Sequence, residues 1–274
     1  MNTVKKILTI FSVLFLFLSP NYINAWTEED LPVPTLTLGG FYREGEMECV
    51  HSLTTDSQGD IFVVDTFNHR VQKFSSNGEF LMSIGELGDG DGLFNNPRGI
   101  TINQDGNIYI SSQYTHNIHV FNPSGEFLFK FGENGSGDGQ FNYPTYMISD
   151  SNGDIYVSDS WNQRVQKFDK DGNFILKFGS VGNGDGQFGT TSYYFYGPAD
   201  IAIENDGDIW VADPYNKRIQ KFDSAGNFLM KFGTSGTGPG QFNNPNGLFL
   251  YNNQYLYIAD SGNHRIQKFD LNLN

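Results

Sequence analysis

The residues of this 274-residue chain that could do chemistry are five histidines, a single cysteine and several recurring aspartates. Cys49 and His51 stand two apart, and side chains two apart on a strand share a face, so a thiol–imidazole couple is geometrically open. Such a couple needs a third group to orient its base, and the sequence offers none nearby. Asp65, Asp159, Asp213 and Asp260 each precede an arginine, at Arg70, Arg164, Arg218 and Arg265. A pairing repeated four times reads as a local ion pair pinning a turn, rather than as a catalytic couple. The loops Gly88–Gly92 (GDGDG), Gly135–Gly139 (GSGDG) and Gly182–Gly186 (GNGDG) resemble calcium loops superficially. A calcium loop alternates oxygen ligands and usually closes on a bidentate carboxylate, whereas these end in Leu or Gln followed by Phe. No residue is assigned as catalytic or as a metal ligand, and no motif calls for a cofactor.

All these residues ride on an internal repeat. Its phase is marked by Phe74, Phe121, Phe168, Phe222 and Phe269; three of the intervals are 47 residues and the third is seven longer. A second anchor, close to GQFNxP, recurs at Phe94, Phe141, Phe188 and Phe242. The units cover about 47–85, 94–132, 141–179, 188–233 and 242–271, within one domain over 26–274. In the second unit, Pro97–Ile102, Asn107–Ser111, His116–Phe121 and Glu126–Phe131 read as strands, because apolar and polar residues alternate between turn dipeptides such as Asp105-Gly106. Nothing after the leader reads as a long helix. An all-β chain of four-stranded units at this period is a β-propeller.

The units resemble NHL repeats, most closely in GQFNNPNGLFL…YIADSGNHRIQKFD (Gly240 to Asp270). Members of that family include peptide-amidating lyases, sensor ectodomains and adaptors for RNA or protein, and six blades are usual. Here five blades are expected, with six as the alternative. Repeat five stops after its third strand, and Pro34–Gly39 (PTLTLG) carries the pattern of the missing fourth. The N-terminal segment is therefore expected to pair with the C-terminal blade and close the ring, which removes an exposed edge. In lyases of this family three histidines from different blades hold a zinc; only His51 stands at an inner-strand start here, so the resemblance does not carry that site over.

Three sets of residues are expected at the channel face. His51, Arg98, Thr145, Ala199 and Asn246 occupy one position at the start of each inner strand and differ in every repeat, either as a grafted site or by drift. Asp200 follows Ala199, where two other repeats have Gly99 and Gly247. Phe67, Tyr114, Trp161 and Tyr215 are equivalent aromatics after the second strand, able to contact a ligand or to cover the neighbouring blade. The seven-residue insertion brings Tyr193, Tyr194, Phe195 and Tyr196, either a lid or patch or a plug for the ring.

Lys5 and Lys6, the apolar run Ile7–Leu18 and the small residue Ala25 read as a secretory signal peptide over 1–25, so the protein is expected outside the cell or on its envelope. The formal net charge of −14 makes nucleic acid an unfavourable partner. With one cysteine no intrachain disulfide can form. The reading that follows is a binding scaffold for a protein, peptide or glycan at the channel face. A lyase or lactonase-like hydrolase at the channel mouth and a structural envelope protein stand as alternatives.

Overall fold

Each described fourth strand is followed by a glycine, and the inter-blade loop after it returns a phenylalanine to that glycine. The computed structural model describes residues 46–189 and 197–273. The signal peptide expected over 1–25, the closing strand expected at Pro34–Gly39 and the insertion aromatics Tyr193, Tyr194, Phe195 and Tyr196 lie outside these residues. Blade 1 comprises β1 (Val50–Thr55), β2 (Ile61–Asp65), β3 (Arg70–Phe74) and β4 (Phe80–Ile84). Blade 2 comprises β5 (Pro97–Ile102), β6 (Ile108–Ser112), β7 (Asn117–Phe121) and β8 (Phe127–Phe131). Blade 3 comprises β9 (Pro144–Ser149), β10 (Ile155–Asp159), β11 (Arg164–Phe168) and β12 (Phe174–Phe178). Blade 4 comprises β15 (Ile201–Ile203), β16 (Ile209–Asp213), β17 (Arg218–Phe222) and β18 (Phe228–Phe232), and blade 5 has β21 (Pro245–Tyr251), β22 (Tyr255–Asp260) and β23 (Arg265–Asp270). Each blade is an antiparallel meander, four-stranded in blades 1 to 4 and three-stranded among the described residues of blade 5. Two parallel pairs lie in the inter-blade loops, β13 (Ser180–Val181) with β14 (Gln187–Phe188) and β19 (Thr234–Ser235) with β20 (Gln241–Phe242). The described helical residues form only short 3-10 turns, such as Thr66–Asn68 and Ser160–Asn162.

The loop phenylalanines Phe94, Phe141, Phe188 and Phe242 are fully buried. A Cβ on Gly85, Gly132, Gly179 or Gly233 would lie between 2.2 and 2.7 Å from the facing ring, and each of these glycines has positive φ. Glycine is thus required twice over, by the backbone conformation and by the plug. Around the plugs, four apolar cores fill the seams between successive blades. Phe62, Val64, Ile108 and Ile110 meet at the first seam, and Tyr109, Ile118, Ile155 and Val157 at the second. Tyr156, Val165, Ile209 and Val211 meet at the third, and Trp210, Ile219, Leu256 and Ile258 at the fourth. Blade 5 presents the same face outward: Ile266 is 47% exposed, whereas its equivalents Val71, Ile118, Val165 and Ile219 are fully buried. Among the described residues no fifth core joins blade 5 to blade 1.

A polar network ties each inter-blade loop to the blade that follows. In blade 3 the fully buried Asp159 accepts from Arg164 Nε (2.7 Å), Gln166 Nε2 (3.1 Å) and the Asn142 amide (2.7 Å). The guanidinium continues to the carbonyls of Ser136, Gly137 and Gln140, so one arginine gathers the whole loop. Blades 1, 4 and 5 repeat the pair as Asp65–Arg70, Asp213–Arg218 and Asp260–Arg265, at 2.8–2.9 Å. The Asp-bearing glycine loops are held from the other side by lysines, as Asp91–Lys130, Asp138–Lys177 and Asp185–Lys231. These ion pairs give the calcium-like loops a structural use.

Candidate functional site

The five inner strands enclose a central cavity of about 310 Å³, with lining residues from every blade. Its wall has two characters. Blades 1 and 2 contribute the hydroxyl residues Ser52, Thr54, Thr55 and Thr101 along with Leu53 and Ile100, while blades 3 to 5 contribute mainly aromatic and aliphatic residues, among them Tyr146, Met147, Ile201, Leu248, Phe249 and Tyr257. One register position is occupied by Ser52, Gly99, Tyr146, Asp200 and Gly247, and all of these but Gly99 line the cavity. A Cβ on Gly99 would lie 2.1 Å from the Thr145 carbonyl, so that position admits no side chain. Tyr146 and Asp200 supply the large groups of this ring.

The residues expected in the channel, one place earlier, are arranged differently. The inner strands of blades 1, 2, 3 and 5 shift register at their second residue, so His51, Arg98, Thr145 and Asn246 fall on a bulge. A bulge adds a residue and reverses the side-chain alternation beyond it. Thr145 is buried and hydrogen-bonds Ser160 Oγ, and Asn246 Oδ1 accepts from Ser261 Oγ. Both serve the blade. Arg98 Nε donates to Asn96 Oδ1 (3.3 Å), and Ala199 offers its carbonyl to Ser158 Oγ. Asp200 does line the cavity.

Asp200 is half-buried in the channel wall and lines the cavity. Its carboxylate accepts from the amides of Ile201 (2.9 Å, Oδ1) and Leu248 (2.9 Å, Oδ2). Among the described residues it forms no ion pair. Burial pushes its pKa up to about 7, against which the two amides act only partly. The same enclosure pushes the Tyr146 phenol up to about 12, the Asp200 charge adding to it and Arg98 opposing it.

Cys49 Sγ lies 3.6 Å from His51 Nδ1, and that nitrogen is also 3.2 Å from the Cys49 carbonyl. Burial raises the thiol pKa, with Arg98 opposing and Glu48 assisting. Burial and then Arg98 push the imidazole down to about 4. Both groups are held neutral, the reverse of a thiolate–imidazolium pair. His69 and His116 each accept a backbone amide, from Asn96 (3.1 Å) and Tyr143 (3.2 Å), and so link successive blades. His119 is fully buried inside blade 2, where Nδ1 accepts from the Gly92 amide (3.3 Å).

Around the rim, Phe67, Tyr114 and Tyr215 are exposed. Trp161 stacks on Tyr143 with ring centroids 3.5 Å apart, and Tyr114 meets Tyr143 edge-on at 5.4 Å. Tyr143, absent from the expected set, is thus the centre of the aromatic group. It occupies a left-handed residue (φ 57°) just before the inner strand, as Cys49, Asn96 and Asn244 do. Among the described residues Glu204, Asp206 and Asp208 could meet around a cation, but Lys221 already lies 2.8 Å from Glu204 and 2.7 Å from Asp208. Lys73 and Lys167 hold the equivalent acids of blades 1 and 3, so this cluster too belongs to the repeat.

A family model described as a 6-bladed beta-propeller matches residues 190–273, and the NHL repeat model matches 48–74 and 141–168. The described residues hold five blades. No curated protein sequence matches. Similar solved structures include a streptogramin B lyase, at 16% identity over 81% of this chain and 68% of that one, TM-score 0.60. The nidogen/laminin complex is similar at 15% identity over 83% and 78%, TM-score 0.62. A protein of unknown function from Bacteroides caccae is similar at 17% identity over 82% and 80%, TM-score 0.60. At these identities the likeness is one of fold.

Proposed function

We propose, from the premise that this chain is an NHL-repeat β-propeller, that it is an exported binding scaffold whose ligand enters the central channel. One observation carries the reading. A ring position repeated in every blade holds five residues of only four kinds, and the two bulky ones, Tyr146 and Asp200, line a cavity of about 310 Å³. Scaffold residues in this molecule repeat, as the plugs and the Asp–Arg pairs do. Residues that break the repeat inside a cavity follow what a ligand needs, and the volume is at the small end of ligand sites. The rim aromatics Tyr114, Tyr143 and Trp161 offer further contact area to a peptide or glycan extending outward. The net charge of −14 keeps anionic polymers away and draws cations.

The test is thermal unfolding of the purified protein against panels of peptides, glycans and small charged molecules, repeated with Thr54→Trp, which fills the cavity from blade 1. A ligand that raises Tm in the native protein and loses its effect in the filled variant supports the channel site. Equal shifts in both proteins would place binding elsewhere. Export is tested by fractionating cells that express the full chain and by the N-terminal sequence of the product.

A further inference from the structure

We infer that the channel takes a small organic cation, a primary ammonium on an aromatic or alkyl body, with Asp200 as its counter-ion. This rests on the channel-binding reading and narrows it to one chemical class.

The argument begins with how this molecule treats buried acids. Asp65, Asp159, Asp213 and Asp260 are fully buried and each has an arginine; Glu204 is buried and has Lys221. Asp200 departs from that pattern, with two backbone amides and no cation among the described residues. A carboxylate offers about four lone-pair sites, so two amides leave acceptor capacity on the side of the cavity. An enclosed carboxylate is stabilised by a positive partner. The repeat makes the position unusual again, since it is Gly in blades 2 and 5 and Ser in blade 1.

The neighbouring wall selects the kind of cation. Calcium would need six to eight oxygens, and Asp200 is the one carboxylate in the described cavity wall, which it shares with Tyr146, Ile201, Leu248 and Phe249 as well as the hydroxyls of blades 1 and 2. Aromatic and aliphatic surface suits the body of an organic amine, and the faces of Tyr146 and Phe249 can also attract its charge. Among the described residues, the titratable groups that line the cavity with Asp200 are Tyr146 and Tyr257, and Arg98 and His51 lie behind its wall at the starts of β5 and β1. The positive charge of Arg98 acts on Tyr146 and His51, and Arg98 itself is not part of the cavity lining.

The probes are phenethylamine, its neutral N-acetyl derivative, 3-phenylpropionate and calcium chloride, titrated calorimetrically at pH 8. Phenethylamine is expected to bind with saturation, at least tenfold more tightly than either organic control. Asp200→Asn keeps an amide-accepting oxygen and should lose at least tenfold for phenethylamine alone, with Tm retained. A second arm needs no substitution. Because Asp200 ionises near pH 7, affinity for phenethylamine should rise about tenfold from pH 6 to pH 8, while His51, at about 4, and Tyr146, at about 12, stay neutral.

Equal binding of amine and N-acetyl derivative, a calcium-only response, a flat pH profile or silence from all four probes would each overturn the inference. If a neutral probe binds and Thr54→Trp abolishes it, the amine assignment falls and the channel reading stands. If Thr54→Trp leaves binding unchanged, the channel reading itself falls.

Discussion

Blades 2 and 3 have the same strand register and differ in how each anchors its loop. Ile110 faces His119 in blade 2 as Val157 faces Gln166 in blade 3. Blade 3 ties its loop down with Asp159, Arg164 and Gln166, a charged set wholly inside the protein. Blade 2 has Ser112, Asn117 and His119 at those places: Ser112 Oγ accepts from the Asn95 amide (3.0 Å), and Asn117 Oδ1 from Thr115 Oγ1 (2.8 Å). His119 Nε2 is buried and finds no partner among the described residues. Sheet register therefore does not depend on the ion pair. The charges anchor a loop, and their removal is tolerated when all three members change together.

Breaking that set singly should have the largest effect. Arg164→Leu leaves the Asp159 carboxylate buried without its cation and is expected to cost about 3–5 kcal/mol, whereas Asn117→Leu in blade 2 should cost about 1 kcal/mol or less. Urea unfolding of the two variants decides, and equal losses would remove the distinction between the blades.

The second test uses acid. Burial, aided by Lys130, pushes the His119 imidazole down to about 4. The unfolded chain then binds the proton first, so the native protein should lose stability as pH falls from 6.5 towards 4, by on the order of 2–3 kcal/mol. His119→Gln supplies the residue of the other blades and should remove its share of that loss, leaving the share of His51, which burial also pushes down to about 4; an unchanged pH profile would exclude His119 as a source.

Grafting the blade 2 set into blade 3, as Asp159→Ser with Arg164→Asn and Gln166→His, removes both charges at once. It should cost roughly 1–2 kcal/mol, less than Arg164→Leu alone. A larger loss than the single variant would show that the set is not a unit. Smallest of all, Lys177→Ala breaks an exposed pair with Asp138 and should change stability by about 0.5 kcal/mol or less, within reach of a careful denaturant titration.

The Asp–Arg relation was legible in sequence because both members disappear together at Ser112 and Asn117. Its third member was not, since Gln72, Gln166, Gln220 and Gln267 look like ordinary polar residues of an alternating strand, and nothing local marks His119 as their replacement. The register shift at the start of the inner strands was hidden for a similar reason. His51, Arg98, Thr145 and Asn246 stood out by differing at one repeated position, and nothing local marks the bulge there, beyond which Ser52, Tyr146 and Gly247 line the cavity. Asp200 drew notice only as an acid among glycines. Tyr143 escaped because its left-handed backbone, normally a place for Gly or Asn, carries an aromatic here.

Four seams with cores and, among the described residues, a fifth edge without one also bear on how the chain opens. Contacts pass mainly between neighbouring repeats, so stability accumulates by nearest neighbours along the ring, and the innermost seams are supported from both sides. Amide hydrogen exchange should accordingly be slowest in β10, β11 and β16, between the second and fourth cores. It should be fastest in β23, whose Ile266 faces solvent, so that unravelling starts at the C-terminal repeat and travels inward one blade at a time.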